Sequence, residues 1–168
     1  MGATLLIGTT IMFLLGLFDD FRQIKPQTKL VGQIIAASLV VFLGSRLHWF
    51  HSMTLDTMAT LFWIVGITNA FNLIDNMDGL CAGVGIIASV CLSLLFAPYG
   101  GEPFKIALIL VGAGAGFLIY NFNPAKIFMG DCGSLVMGFS ISVLALHFSE
   151  TRPVTLLATV CVPVLVLL

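Results

Sequence analysis

Residues 2–22 read GATLLIGTTIMFLLGLFDDFR. Seventeen apolar or small residues run without a charge into two adjacent carboxylates, Asp19 and Asp20. A helix that crosses a bilayer needs about 20 such residues, with a working range of roughly 17 to 25. The stretch predicts a membrane-spanning helix that stops at a polar boundary, and the rest of the chain repeats the pattern. Apolar runs follow at about 30–47, 57–71, 80–97, 104–120 and 135–148, and a seventh starts near Val154 and continues to Leu168. The sequence RLHWFHSM at 46–53, with Trp49, His48 and His51, suits a membrane–water interface.

Composition points the same way. The 168 residues are 59% hydrophobic and 9% charged, with a mean hydropathy of +1.11. Soluble domains carry about 25% charged residues, so lipid has to be the solvent for much of this surface. The apolar character extends from end to end, which excludes a soluble body with one targeting segment. A formal net charge of −1 offers no basic face for nucleic acid. Cys81, Cys91 and Cys161 lie in apolar runs and read as small hydrophobes. Neither they nor Cys132 cluster with the histidines as metal ligands do. The expected fold is all-α: one polytopic transmembrane bundle over 1–168, with about seven spans. The chain ends inside an apolar run and begins just before one, so it is expected to be a fragment of a larger bundle.

Loop parity sorts the acids. The chain crosses twice between Asp20 and Asp75, and twice again between Asp78 and Asp131. The acidic loops near 19–29, 72–79 and 121–134 therefore fall on one side of the bilayer. They hold five of the six aspartates, and Asp56 stands alone on the other side. Arg22, Lys25, Lys29 and Lys126 accompany the acidic side, against Arg46, Lys105 and Arg152 opposite. The positive-inside rule puts the acidic side in the cytoplasm by that small margin.

The loops differ in character. After Asp19-Asp20 comes FRQIKPQTK, whose Lys29 opens the next helix and can hold phosphate. The plain alternative for the acid pair is a helix stop. In NAFNLIDNMDGL at 69–80, a rotation of about 100° per residue puts Asn69, Asn72, Asp75 and Asn76 on one face about 120° wide. Asp78 falls off that face, so the helix is expected to end before it, with Gly79 at the break. In NFNPAKIFMGDCGS at 121–134, Asn-Pro reads as a turn. Gly130 and Gly133 there leave Asp131 open to a ligand, with Phe128 free to stack on a base or to seal the loop. Carboxylates on three wet loops facing one compartment suggest a hard-cation site. Mg²⁺ takes one or two protein carboxylates together with phosphate oxygens. No P-loop, HExxH or GxSxG motif is present. Gly112 and Gly116 form a GxxxG pattern, read first as helix packing within the chain and second as a homodimer contact.

The runs GLFDDFRQIKPQTKLVGQ, NAFNLIDNMDGLCAGV and NFNPAKIFMGDCGS resemble, in order and spacing, the three cytosolic motif loops of the polyprenyl-phosphate N-acetylhexosamine-1-phosphate transferases. The second run is closer to the N-acetylglucosamine branch than to the muramoyl-pentapeptide branch. The resemblance implies that a sugar-1-phosphate passes from a UDP-N-acetylhexosamine to undecaprenyl (polyprenyl) phosphate with release of UMP. This would be a first membrane step of cell-envelope polysaccharide synthesis, performed at the cytoplasmic face of the cell membrane with Mg²⁺, or Mn²⁺ in its place. It implies Asp19, Asp20 and Asp131 as catalytic residues, with Asp19 at the lipid phosphate. Lys29, Asn72, Asp75, Asp78, Asn121 and Phe128 would bind substrate, with Asp78 and Phe128 nearest the uracil. Asp131, Asp20 and Asp75 would hold the metal. The family's histidine-rich loop beyond the third motif has no counterpart here, and neither do its spans before the Asp pair. The competing readings are an ion- or proton-coupled transporter using the aspartates and a non-catalytic assembly subunit.

Overall fold

The computed structural model describes residues 1–50 and 52–151. Six helices follow one another: α1 (Gly2–Arg22), α2 (Pro26–Phe42), α3 (Met53–Ile74), α4 (Leu80–Phe96), α5 (Gly101–Asn121) and α6 (Gly130–Thr151). They fall on the first six apolar runs, and the described residues are helical without a strand. By length and composition, α1, α3, α5 and Gly130–Glu150 of α6 can cross a membrane, while α2 and α4 are shorter at 17 residues each. The seventh run lies outside the described residues, as do His51, Arg152 and Cys161. Among the described residues there are six helices, four of them long enough to span, and the seventh expected span lies outside them.

The boundaries move in one consistent way: polar residues read as loop turn out to be helical ends. Asp19 and Asp20 occupy the last turn of α1, which closes at Gln23 in a left-handed cap, its N–H donating to the Asp19 carbonyl. Helix α2 starts at Pro26, not near residue 30. Proline suits the first helical position because its fixed φ is preorganised and its missing N–H would be unbonded there anyway. Lys29 therefore rides on a helix. Helix α3 ends at Ile74, ahead of Asp78, and Gly79 takes φ +73° before α4, as the face analysis requires.

Helix α6 is the hub. It packs along α1 and α3 and also meets α4 and α5. Of its spanning window 72% is buried, against 11% for α5. A helix apolar all round belongs inside, and LVMGFSISVLALHF at 135–148 is such a sequence. Small residues let its neighbours approach. A Cβ on Gly16 would lie 2.5 Å from the Cys132 backbone, and one on Gly138 would lie 2.9 Å from Thr68 Cα. The GxxxG of α5 does not serve this purpose. Among the described residues Gly112 and Gly116 meet nothing within 4 Å, and only Gly114 between them packs, against Ile86 of α4. The expectation of close packing within the chain at Gly112 and Gly116 is corrected accordingly.

At the end of the bundle away from Asp131, residues 43–50 fold back over α3. Trp49 and Phe50 donate their backbone N–H groups to Asp56 Oδ1 at 3.0 and 2.8 Å. Leu47 N–H donates to Thr60 Oγ1 at 2.9 Å, and the Trp49 and Trp63 rings meet edge to face.

Candidate active site

Alternating helix direction brings the C-terminal turns of α1, α3 and α5 and the N-terminal turns of α2, α4 and α6 to one end. On α1, successive residues point about 100° apart, which separates the two aspartates. Asp19 is buried and faces α2, where its Oδ2 lies 2.6 Å from Lys29 Nζ. Its Oδ1 accepts the Ile24 N–H at 2.8 Å. Asp20 faces α6 and accepts the Asp131 and Cys132 N–H groups on its two oxygens, at 2.8 and 3.1 Å. It caps a helix that begins far away in sequence, satisfying amides that have no intrahelical partner. Gly130, at φ +66°, makes room, since a Cβ there would come within 2.9 Å of Asp20 Oδ2.

Asp131, in the first turn of α6, is the centre. Its Oδ2 pairs with Lys29 Nζ, and its Oδ1 accepts from Asn72 Nδ2 at 2.7 Å. Asn72 Nδ2 also donates to Ser134 Oγ at 3.0 Å, and Asn72 Oδ1 accepts from Lys29 at 3.4 Å. Four helices thus meet through one ammonium, two carboxylates and an amide. One turn deeper, Gln33 of α2 and Asn69 of α3 exchange hydrogen bonds at 3.2 and 2.6 Å, with Gln33 fully buried. This amide pair repeats the α2–α3 link directly beneath Lys29–Asn72.

Asp78, Asn121 and Phe128 gather beside this cluster and not within it. With Asp75, Asn76, Met77 and Met129 they line a cavity of about 100 Å³. Asn121 ties it together, accepting the Gly79 N–H at 3.0 Å and donating to the Ile127 carbonyl at 2.9 Å. Asp78 Oδ2 accepts from Asn123 Nδ2 and the Ala125 N–H. The Phe128 ring stands largely in the open, and Lys126 is exposed. Asp75 joins the two groups. Half-buried at the end of α3, it lines the cavity and feels the Asp131 and Asp20 charges. Burial first, and those two charges next, push its carboxyl up to about 6.

That last feature is the test for a cation. Acids held near one another, with ionisation of one opposed by the others, form a donor set that a hard cation satisfies. Asp131 and Asp75 would hold it; Asp20, also expected as a ligand, instead has its two oxygens on the Asp131 and Cys132 amides. Among the described residues no three acid, histidine or cysteine side chains converge as a ready metal shell. A cation here would complete its shell from substrate oxygens and water, as Mg²⁺ commonly does.

Gln33 and Ser134 belong to the site but carried no sequence assignment. Gln33 is a lone amide in an apolar run, one helical turn from Lys29, and that spacing is the signal that finds it. Ser134 is three residues from Asp131, on the same face of α6.

Residues 3–149 match the family described as Glycosyl transferase family 4. A Bacillus subtilis protein named probable undecaprenyl-phosphate N-acetylglucosaminyl 1-phosphate transferase is 40% identical over 172 residues, covering 96% of this chain and 47% of that protein. A Mycobacterium tuberculosis decaprenyl-phosphate N-acetylglucosaminephosphotransferase is 37% identical over 162 residues, covering 84% and 40% respectively. The phospho-N-acetylmuramoyl-pentapeptide-transferase of Carboxydothermus hydrogenoformans is 36% identical over 171 residues, covering 84% and 53%. The chain spans about half the length of these relatives. With a family match over nearly all of its length, and the motif residues meeting at one end of its bundle, this chain belongs to glycosyl transferase family 4.

Proposed function

We propose that the full-length protein transfers N-acetylglucosamine-1-phosphate from UDP-N-acetylglucosamine to a membrane polyprenyl phosphate, releasing UMP at the cytoplasmic face of the cell membrane. The observation that carries this reading is the convergence of Asp19, Lys29, Asn72 and Asp131 from four helices beside a small polar cavity. The N-acetylglucosamine donor follows the relatives at 40% and 37% identity, above the muramoyl-pentapeptide relative at 36%.

In the reaction an oxygen of the polyprenyl phosphate attacks the sugar-bearing β-phosphorus. The bond to the UMP oxygen breaks, and UMP leaves with that electron pair. The chemistry asks the protein mainly for alignment and charge compensation. Lys29 supplies positive charge for phosphate, and Asn72 fixes the Asp131 carboxylate. Asp20 holds the first amides of α6 and so the position of Asp131. Both Asp19 oxygens are engaged, by Lys29 and by the Ile24 N–H. That favours direct attack by the lipid phosphate, with Asp19 placing Lys29, over a covalent route through Asp19. A phosphate monoester loses its second proton near pH 6, so the acceptor needs no strong base at neutral pH. Asp78, Asn121 and Phe128 line the nucleotide side, with Phe128 offering a ring to uracil. Mg²⁺, or Mn²⁺ in its place, would be held by Asp131 and Asp75 and would offset the charge of the diphosphate.

A transporter would set its acids near the middle of broken helices. The acids here stand in terminal turns, which suits chemistry at an interface. The test is transfer of radiolabel from UDP-N-acetylglucosamine to polyprenyl phosphate by the full-length protein in detergent, with and without Mg²⁺. Metal-dependent labelling of lipid with UMP release, lost in Asp131→Asn, supports the proposal. Transfer only from another UDP-sugar changes the donor and keeps the reaction class. A folded preparation that uses no UDP-sugar overturns it.

A further inference from the structure

A lysine ammonium has three N–H groups and no acceptor. In this structure Lys29 has three protein acceptors: Asp19 Oδ2 at 2.6 Å, Asp131 Oδ2, and Asn72 Oδ1 at 3.4 Å. Every donor is matched, so a Lys29 that binds phosphate has to give up one of these contacts. The Asn72 contact is the longest, but Asn72 is itself fixed by Asp131 and Ser134. Asp19 is buried, and besides Lys29 it has the Ile24 amide and the neighbouring Asp131 carboxyl. A carboxylate left there without its ammonium is costly. Asp131 is different. It is more exposed than Asp19, and it lies within electrostatic reach of Asp75, a second acid. A divalent cation held by this pair would compensate Asp131 for the loss of Lys29.

We propose that Lys29 is an exchange cation. It neutralises Asp131 until a divalent cation is held there, and then turns the freed N–H to a substrate phosphate while keeping Asp19. The phosphate half of this exchange rests on the transferase reading. The cation half stands on the Lys29–Asp131 contact alone. The arrangement couples the two ligands: bound cation makes the lysine available to phosphate, and bound phosphate holds the lysine away from the cation's carboxylate. By linkage each ligand then tightens the other.

The consequence is a lysine that becomes more accessible when metal is added. The full-length protein in detergent is treated with an amine-acylating reagent, and modification of each lysine is read by mass spectrometry. Lys25 and Lys126, both exposed, serve as internal references. Labelling of Lys29 is expected to rise several-fold with Mn²⁺ and to fall again when UDP is added with Mn²⁺, while the references stay constant. Asp131→Asn should show high Lys29 labelling with no response to Mn²⁺. Lys29→Gln should bind Mn²⁺ at least about tenfold more tightly than the unaltered protein, because a close competing charge is gone. Lys29→Arg should not. Lys29 labelling that is unchanged or lowered by Mn²⁺ overturns the exchange, and this readout needs no variant to fold. Mn²⁺ binding by Lys29→Gln that is no tighter overturns it as well. Sugar-phosphate transfer by the same preparation is scored separately. Loss of the lysine response with transfer intact removes the exchange alone, and absence of transfer with the response intact removes the transferase reading alone.

Discussion

The two ends of the bundle each bury an aspartate, and they use it differently. Asp56 is 5% exposed and accepts the backbone amides of Trp49 and Phe50, a few residues before it in the chain. Its partners are local, and it pins the return of residues 43–50 onto α3. Asp19 is 8% exposed, but its cluster joins side chains from α1, α2, α3 and α6 and leaves a further acid, Asp75, held against like charges. Burial of an acid therefore does not mark a site. What marks it is side-chain partners gathered from distant elements, with charge left for a ligand to compensate.

Replacing one acid at each end breaks the comparison most directly. Asp131→Asn should reduce sugar-phosphate transfer by at least about 100-fold and leave the melting temperature in detergent nearly unchanged. Asp56→Ala should do the reverse. It strips two partly buried amides of their acceptor, for a loss of about 2 kcal/mol in thermal or denaturant unfolding, with turnover per folded molecule unaltered. Equal losses of activity from both would show that the ends are not functionally distinct.

Glycines sharpen the contrast between α6 and α5. Gly16→Ala would drive a methyl into the Cys132 backbone at 2.5 Å. It should cost about 1–3 kcal/mol and lower activity, because the same contact seats Asp131. Gly112→Ala meets open space and should stay within about 0.5 kcal/mol.

A pH series on the chain without divalent cation tests Asp75. Its carboxyl is raised from 3.8 to about 6, so the folded chain holds the proton more tightly than the unfolded chain. The associated stability is fully present below about pH 4 and is lost as pH rises through about 6. Asp75→Asn should flatten that decline, a difference on the order of 1 kcal/mol after discounting for solvent screening of a half-exposed group. A slope identical in the variant would show that Asp75 is not the group responsible.

Much of this was legible in the sequence, for reasons that also explain the misses. Apolar runs of about 14 to 18 residues with at most one charge have few options in lipid, so the first six runs all became helices. Helical rotation placed Asn69 and Asn72 on one face and the break before Asp78 at Gly79, while Asp75 and Asn76, expected on the same face, fall just past the helix end at Ile74. Hydropathy locates the polar boundary of a run but not the end of its helix, so Asp19 and Asp131 read as loop residues and Lys29 as the first residue of a helix that starts three residues earlier, at Pro26. They are helical because a terminal turn tolerates polar side chains that find partners on neighbouring helices. Gln33 went unassigned because a single amide in VGQIIAAS gains meaning only from its one-turn spacing to Lys29 and from Asn69 opposite. The Gly112–Gly116 spacing shows that a face is smooth, and only the neighbouring helices decide whether anything lies against it.

The centrality of α6 bears on how the protein is made. Chains grow from the N-terminus, and among the described residues α6 is the last of the six helices to emerge. Until then α1, α3 and α4 hold a slot whose filling is still on the ribosome, and Lys29 faces Asp19 without Asp131. The first five helices have to remain side by side in the bilayer with that slot open to lipid. Arrival of residues 130–134 then caps α6 on Asp20 and seats Asp131 under Lys29 in one event. The Lys29–Asp131 contact and the packing of α6 against α1 and α3 therefore form together, so a nascent chain that has not yet built α6 lacks both.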